Sequence, residues 1–217
     1  MKYCIFFLLL STLTGFAQIQ VHKEPLHHPV FKKSNTRILD VIAHPNDTSL
    51  IHQHSHNYCY VTINGGKIWV ENKGEEGRNL ELPHGFTGGY FENPEQPLVH
   101  RFANRSEELI RLIAIENLSA GNTETPTYQP TGNEEILINN SHFLTTKVLV
   151  GAREQSDFKS SANTVIVNLG EKPLEIQKKK ESTELNKWVW VGAQSMVSIY
   201  NPTYEPTWIV LVRVKKP

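Results

Sequence analysis

The chain has 217 residues, with 22 basic and 22 acidic side chains and a formal charge of zero. That balance removes the electrostatic footprint of a nucleic-acid or anionic-membrane binder. A composition of 39% hydrophobic and 20% charged residues is that of an ordinary globular protein, and the length allows one large or two small domains.

The first stretch, "MKYCIFFLLLSTLTGFAQ", carries Lys2, an apolar run from Ile5 to Leu13, and small residues at Gly15 and Ala17. It reads as a secretory signal peptide over residues 1–17, cleaved before Gln18. The apolar run is short of the roughly 20 residues a membrane span needs. The protein is therefore expected in the periplasm or secreted, with no membrane attachment after cleavage. Cys4 leaves with the peptide, and Cys59 alone cannot form an internal disulfide, although an exported compartment would permit one.

Downstream, "EPLHHPVF" places His27 and His28 near the mature N-terminus without a motif partner. Short runs rich in Val, Ile, Tyr and Trp then follow, separated by turn residues: 37–43, 58–63, 67–71 and 109–116 in the first half, and 147–152, 164–169, 187–192, 196–201 and 208–214 in the second. No segment shows a useful helical period, though a helix or two is expected in the connections. The pattern predicts an all-β sandwich or barrel. Between Asn117 and Glu135 the chain turns polar, with Pro126 and Pro130, and reads as a linker over 121–134 between units at 18–120 and 135–217.

The two units resemble each other. "YVTINGGKI" aligns with "TVIVNLGEK", setting Asn64 over Asn168 and Gly66 over Gly170, and a second match sets Asn104 over Asn201. Duplication explains both matches; convergent strand-and-turn chemistry is the plainer alternative.

"LIHQHSHNYCYV", residues 50–61, holds the most chemistry. Alternation along a strand sets His52, His54, His56, Tyr58 and Tyr60 on one face, and Gln53, Ser55, Cys59 and Val61 on the other. Histidines two apart lie roughly 7 Å apart along the backbone, close enough for both imidazoles to reach one ion at about 2.1 Å. His100 is the obvious third ligand. The plainer reading is a set of interior histidines serving only as hydrogen-bonding groups. His84, in the glycine-rich "LPHGFTGGYF", reads as a solvated loop residue, residues 178–181 as a solvated turn, and Trp188, Trp190 and Trp208 as core of the second half.

Taken together, "NDTSLIHQHSHNYCYVTING" and "LVHRFANRS" resemble the two sequence motifs of the cupin superfamily. In that comparison His52 and His54 form the His-x-His pair and Asn46 takes the opening glycine's place. Tyr58 or Cys59 stands at the usual glutamate, and Gly65 or Gly66 at the closing glycine. His100 and Asn104 match the end of the second motif and Gly89 its opening glycine, whereas Glu95 and Pro97 depart from its Pro-x-Gly. The resemblance implies two tandem jelly-roll barrels, a bicupin. The first would hold a divalent transition metal (iron, manganese, nickel, copper or zinc) on His52, His54 and His100, with His56 or Cys59 in place of the missing glutamate. By the Gly66/Gly170 match the second half has Ser156 and Phe158 where His52 and His54 stand, and by the Asn104/Asn201 match Val197 where His100 stands. It is then a degenerate unit, structural or homodimer-forming.

Two functions follow from the resemblance. One is a metal-dependent oxygenase, isomerase or lyase acting on a small molecule, with Tyr58 or Tyr60 as proton donor. The other is a non-catalytic protein that binds a small ligand such as a sugar or organic acid.

Overall fold

The computed structural model describes residues 18–91, 97–120, 128–130, 133–178 and 181–216; the signal segment and part of the linker lie outside them. Strands of the first half are β1 (Ile19–Gln20), β2 (His27–Lys33), β3 (Thr36–Ala43), β4 (His52–His54), β5 (Asn57–Asn64), β6 (Gly66–Asn72), β7 (Arg78–Leu82), β8 (Thr87–Tyr90), β9 (Leu98–Asn104) and β10 (Ile110–Asn117). Those of the second are β11 (Glu134–Asn139), β12 (Phe143–Val150), β13 (Gln155–Lys159), β14 (Asn163–Asn168), β15 (Leu174–Lys178), β16 (Glu181–Leu185), β17 (Trp188–Val191), β18 (Met196–Tyr200) and β19 (Thr207–Val214). All nine runs read from the sequence coincide with strands. The helices expected in the connections are absent from the described residues, which hold only a 3-10 turn at Val21–Lys23. Tight turns make those connections instead.

Pairing is nested in both halves. β3 pairs with β10, β4 with β9, β5 with β8 and β6 with β7, and the same scheme joins β12–β19, β13–β18, β14–β17 and β15–β16. First strand pairing with last, inward to the central hairpin, is the jelly roll. The tandem all-β expectation therefore holds. Each half is a sandwich of two sheets, ordered β1-β4-β9-β6-β7 and β2-β3-β10-β5-β8 in the first, β13-β18-β15-β16 and β11-β12-β19-β14-β17 in the second. Within each half, no pairing among the described residues joins the two sheets into a closed barrel.

The two large inner sheets, β2-β3-β10-β5-β8 and β11-β12-β19-β14-β17, pack against each other. Cys59, Val61, Ile63, Ile113 and Ile115 meet Phe143, Val165, Val167, Leu169, Val210 and Val212 in one buried cluster. The central strands β3, β10, β14 and β19 are covered on both faces and so read as nearly continuous apolar runs, whereas β6, "GKIWVEN", alternates inward Ile68 and Val70 with outward Lys67, Trp69 and Glu71. Side-chain amides tie the halves together: Asn163 donates to Asn35 Oδ1 at 2.7 Å, and Asn35 and Asn117 donate to the Lys215 carbonyl at 3.0 and 2.9 Å. Phe31 of β2 packs on Trp188 and Trp190 of β17, which therefore seal the junction between the halves rather than the second interior. Trp208 is 37% exposed with the Lys147 ammonium over its ring, a surface position and not the core one expected. Its neighbours Ile209 and Val210 are the buried pair.

The Asn104/Asn201 match has a structural cause. Asn104 Nδ2 donates to the carbonyls of Ala43 and Glu108 while its Oδ1 accepts from Ser106 N. Asn201 repeats the set with Val150, Glu205 and Thr203 N. The other register requires correction. Val61 and Val167 occupy the same place beside Ile113 and Val210, so Asn64 aligns with Gly170 and not with Asn168. The error is two residues, which leaves every side chain on its proper face and so escapes pattern matching.

Candidate metal centre

His52 and His54 lie on β4, whose partner β9 sets His100 directly opposite His52. Asn46, at the place of the motif's opening glycine, has a φ of 68°, the left-handed conformation that glycine or asparagine accepts. A Cβ on Gly65 would meet the Leu82 carbonyl oxygen at 2.0 Å, and one on Gly89 the Tyr58 carbonyl oxygen at 2.3 Å, so neither position admits a side chain.

His54 Nε2 and His100 Nε2 are 3.1 Å apart, and the His52 and His100 ring centroids 4.6 Å. A fourth histidine joins them. The ligand nitrogens of His27, His52 and His54 all lie within 4.8 Å of one another, and His100 adjoins this set through His54. His27 comes from β2, where pairing with Val41 turns it inward. Nothing in "EPLHHPVF" marks the neighbours of His27 in space; Glu24 three residues before it was the one available signal.

The ring protons can be assigned. His52 Nδ1 lies 2.8 Å from the Leu50 carbonyl, which only accepts, and His27 Nδ1 lies 2.5 Å from a Glu24 carboxylate oxygen. Both rings therefore donate from Nδ1, which leaves Nε2 as the other ring nitrogen of each. Burial lowers the pKa of His52 to about 4, of His100 to about 3, and of His54 well below its usual range, with neighbouring histidines adding to the effect. These three rings are neutral at pH 7, the form that binds metal. His52 Nε2 is buried and has no hydrogen-bond partner among the described residues. Two nitrogens each about 2.1 Å from a shared ion lie at most about 4.2 Å apart, so the 3.1 Å pair fits one ion, and the His52 ring, with its orphaned Nε2, lies within 4.8 Å of the His54 ligand nitrogen.

His56 is not brought to this cluster. The strand ends at His54, and His56 sits at a bend beside Arg37, Glu116 and Lys32. Alternation does not survive the break. Cys59 faces the junction between the halves, where burial pushes its thiol pKa up; it points away from the histidines. Tyr58, at the usual glutamate place, stacks its ring on His54 at 4.1 Å, and Tyr60 continues the stack at 6.4 Å. Burial raises both phenol pKa values. His84 donates from Nδ1 to the Ile63 carbonyl at 2.7 Å, and His28 is exposed.

The cluster opens on a cavity of about 690 Å³ between the sheets, walled by Val41, Tyr58, Tyr60, Ile68, Val70, Leu112 and Ala114, with exposed Lys73, Glu75 and Arg78 at its rim. In the second half, Phe158 opposes Val197 as His52 opposes His100. Phe158 and Ser160 therefore take the places of His52 and His54, two residues on from the expected Ser156 and Phe158. Val197 stands for His100 as expected, and none of the three is a metal ligand.

No known family model and no curated protein sequence matches the chain. Solved structures do. AerE from Microcystis aeruginosa superposes on 89% of this chain and 99% of its own, with a TM-score of 0.69 and 13% identity. A cupin 2 conserved barrel domain protein from Leptotrichia buccalis covers 87% of this chain and 88% of its own, at 0.57 and 16%. Salicylate 1,2-dioxygenase from Pseudaminobacter salicylatoxidans covers 83% and 71%, at 0.60 and 11%.

The chain has the cupin fold.

Identities this low speak to architecture alone. The positions of the motif resemblance have a local geometry of their own: Asn46 is left-handed, Gly65 and Gly89 admit no Cβ, and His52 on β4 faces His100 on β9. The departure is local: a tyrosine ring fills the glutamate's place, and His27 arrives from another strand.

Proposed function

We propose that the first cupin unit binds a divalent transition metal on its histidines and uses it to transform a small molecule, as an oxygenase, isomerase or lyase. The observation that carries this reading is the buried, unpartnered His52 Nε2 beside His54 and His100, two rings that line the cavity between the sheets. An orphaned buried ring nitrogen is costly, and a bound ion removes that cost. The ion would supply Lewis-acid or redox chemistry there.

The chain's own residues define what can enter. Neutral imidazoles leave an ion its full charge, which favours an anionic or deprotonated substrate group. The aliphatic part of the wall, Val41, Ile68, Val70, Leu112 and Ala114, suits an apolar body. Tyr58 and Tyr60, with raised pKa values, stay protonated at neutral pH; they serve as hydrogen-bond donors that orient a substrate oxygen, and not as bases. Elemental analysis of protein purified without a His-tag tests the reading, beside a His52→Ala/His100→Ala double variant. Near-stoichiometric metal lost in the variant supports it and directs a substrate screen with that metal; no metal in either protein, even after reconstitution, rejects it.

A non-catalytic ligand-binding role is the second reading. It is favoured by the His54–His100 contact, which an N–H···N hydrogen bond satisfies without an ion. Tight binding of a sugar or organic acid that survives chelation and yields no product selects it. We also propose that the protein is exported, on the strength of the N-terminal apolar run; a periplasmic or secreted form beginning at Gln18 is the expected result of N-terminal sequencing.

A further inference from the structure

We infer that the segment Glu24–His27 completes the metal centre, His27 as a protein ligand and Glu24 as the carboxylate that positions both His27 and His52. This rests on the reading that the histidines hold a metal ion.

Glu24 is 2% exposed, and three N–H donors converge on its two oxygens. Oε2 accepts from His27 Nδ1 at 2.5 Å and from Leu26 N at 2.9 Å, and Oε1 accepts from Leu50 N at 3.1 Å. The carbonyl of the same Leu50 accepts from His52 Nδ1 at 2.8 Å. One carboxylate thus sets the tautomer and orientation of His27 directly, and of His52 through the Leu50 residue. Both rings are left presenting Nε2 to the cluster. A carboxylate behind a metal-bound histidine orients it and raises its basicity.

No neutral side chain does the same work. Glutamine offers one acceptor oxygen, and its amide nitrogen would face one of the three donors. Aspartate falls a methylene short. The ring of His27 is itself held, 4.5 Å from His52 and edge-on to Phe102 at 5.9 Å. The carboxylate missing beside His52 and His54 is therefore supplied one layer out, bonded directly to the His27 imidazole and linked to that of His52 by way of Leu50.

The test strips the protein of metal with a chelator and titrates it with Co²⁺, following the visible ligand-field bands. Wild-type protein is expected to take one Co²⁺ per chain. Glu24→Gln weakens binding about 10- to 100-fold; His27→Ala weakens it at least as much and alters the band shape, because an imidazole ligand is lost. The exposed neighbour's variant, His28→Ala, leaves both unchanged. Circular dichroism checks folding, and His27→Gln reads the same bands if His27→Ala does not fold. A merely structural clamp would lower the melting temperature of Glu24→Gln and leave affinity and bands at wild-type values. Folded His27 and Glu24 variants with wild-type affinity and bands would overturn the inference while leaving a three-histidine metal site standing. Failure of wild-type protein to bind Co²⁺, iron, manganese, nickel, copper or zinc would overturn the metal reading and this inference with it.

Discussion

The two halves share a nested strand order and an asparagine turn, yet their interiors are opposite. The second is filled: Val150, Ile166, Leu174, Ile176, Leu185, Val191, Val197, Ile199, Ile209 and Leu211 form one buried aliphatic cluster. In the first, the interior apolar residues form two smaller groups beside a cavity and four histidines. Corresponding positions show how. Ala114 stands where the second half has Leu211, and Ala43 where it has Val150. The inward residues decide the contrast, so the fold is carried by alternation and the site by the choice of side chain on one face. An interior without a cavity needs no ligand; one with orphaned imidazole nitrogens is the half that gains from binding.

That contrast can be broken from either side. The largest effect should come from metal. At roughly a thousand times its dissociation constant a bound ion stabilises the protein by about 4 kcal/mol, and His52→Ala should abolish the shift in urea or thermal melts. Next, Leu211→Ala converts a filled position to its first-half counterpart and should cost roughly 3 kcal/mol, as buried leucine truncations do, with Co²⁺ binding unchanged.

Acid should act mainly on the first half. His52 has a pKa of about 4 in the fold against an ordinary 6.5. Between those values the unfolded chain binds more protons, so stability is complete above the ordinary value and falls with pH toward the folded one. For metal-free protein, going from pH 6.5 to 5 should cost about 2 kcal/mol from His52 alone, and His52→Ala should flatten the slope. The smallest change in stability is expected for Ala114→Leu, which fills part of the cavity. It should stabilise by about 1 kcal/mol, leave Co²⁺ binding intact and exclude the small molecule, read as lost turnover or lost ligand binding.

Much of the site was legible in the residues. Period-two alternation is a local property, so the shared face of His52 and His54 on β4, and the opposite faces of Tyr58 and Tyr60 against Cys59 on β5, followed from the sequence; that the two sets meet did not, because β4 and β5 lie in different sheets. The His-x-His pair and the more distant His100 and Asn104 carried the motif, and the lack of ligands in the second half was equally plain. His56 was misplaced because a bend after His54 ends the alternation, and a bend of this kind leaves no mark in a run of polar residues. The Gly66/Gly170 alignment slipped by two because strand patterns repeat every two residues.

By itself, then, the sequence determined the all-β class and which face of most strands looks inward, because those depend on neighbours along the chain. Tertiary structure decided the rest. It brought His27 and Glu24 to the cluster through the pairing of β2 with β3 and the contact with Leu50, sent His56 aside, and left a cavity in one half while filling the other. Each of these turns on contacts between residues far apart in the chain, and those are set by sheet register and packing volume, not by local pattern.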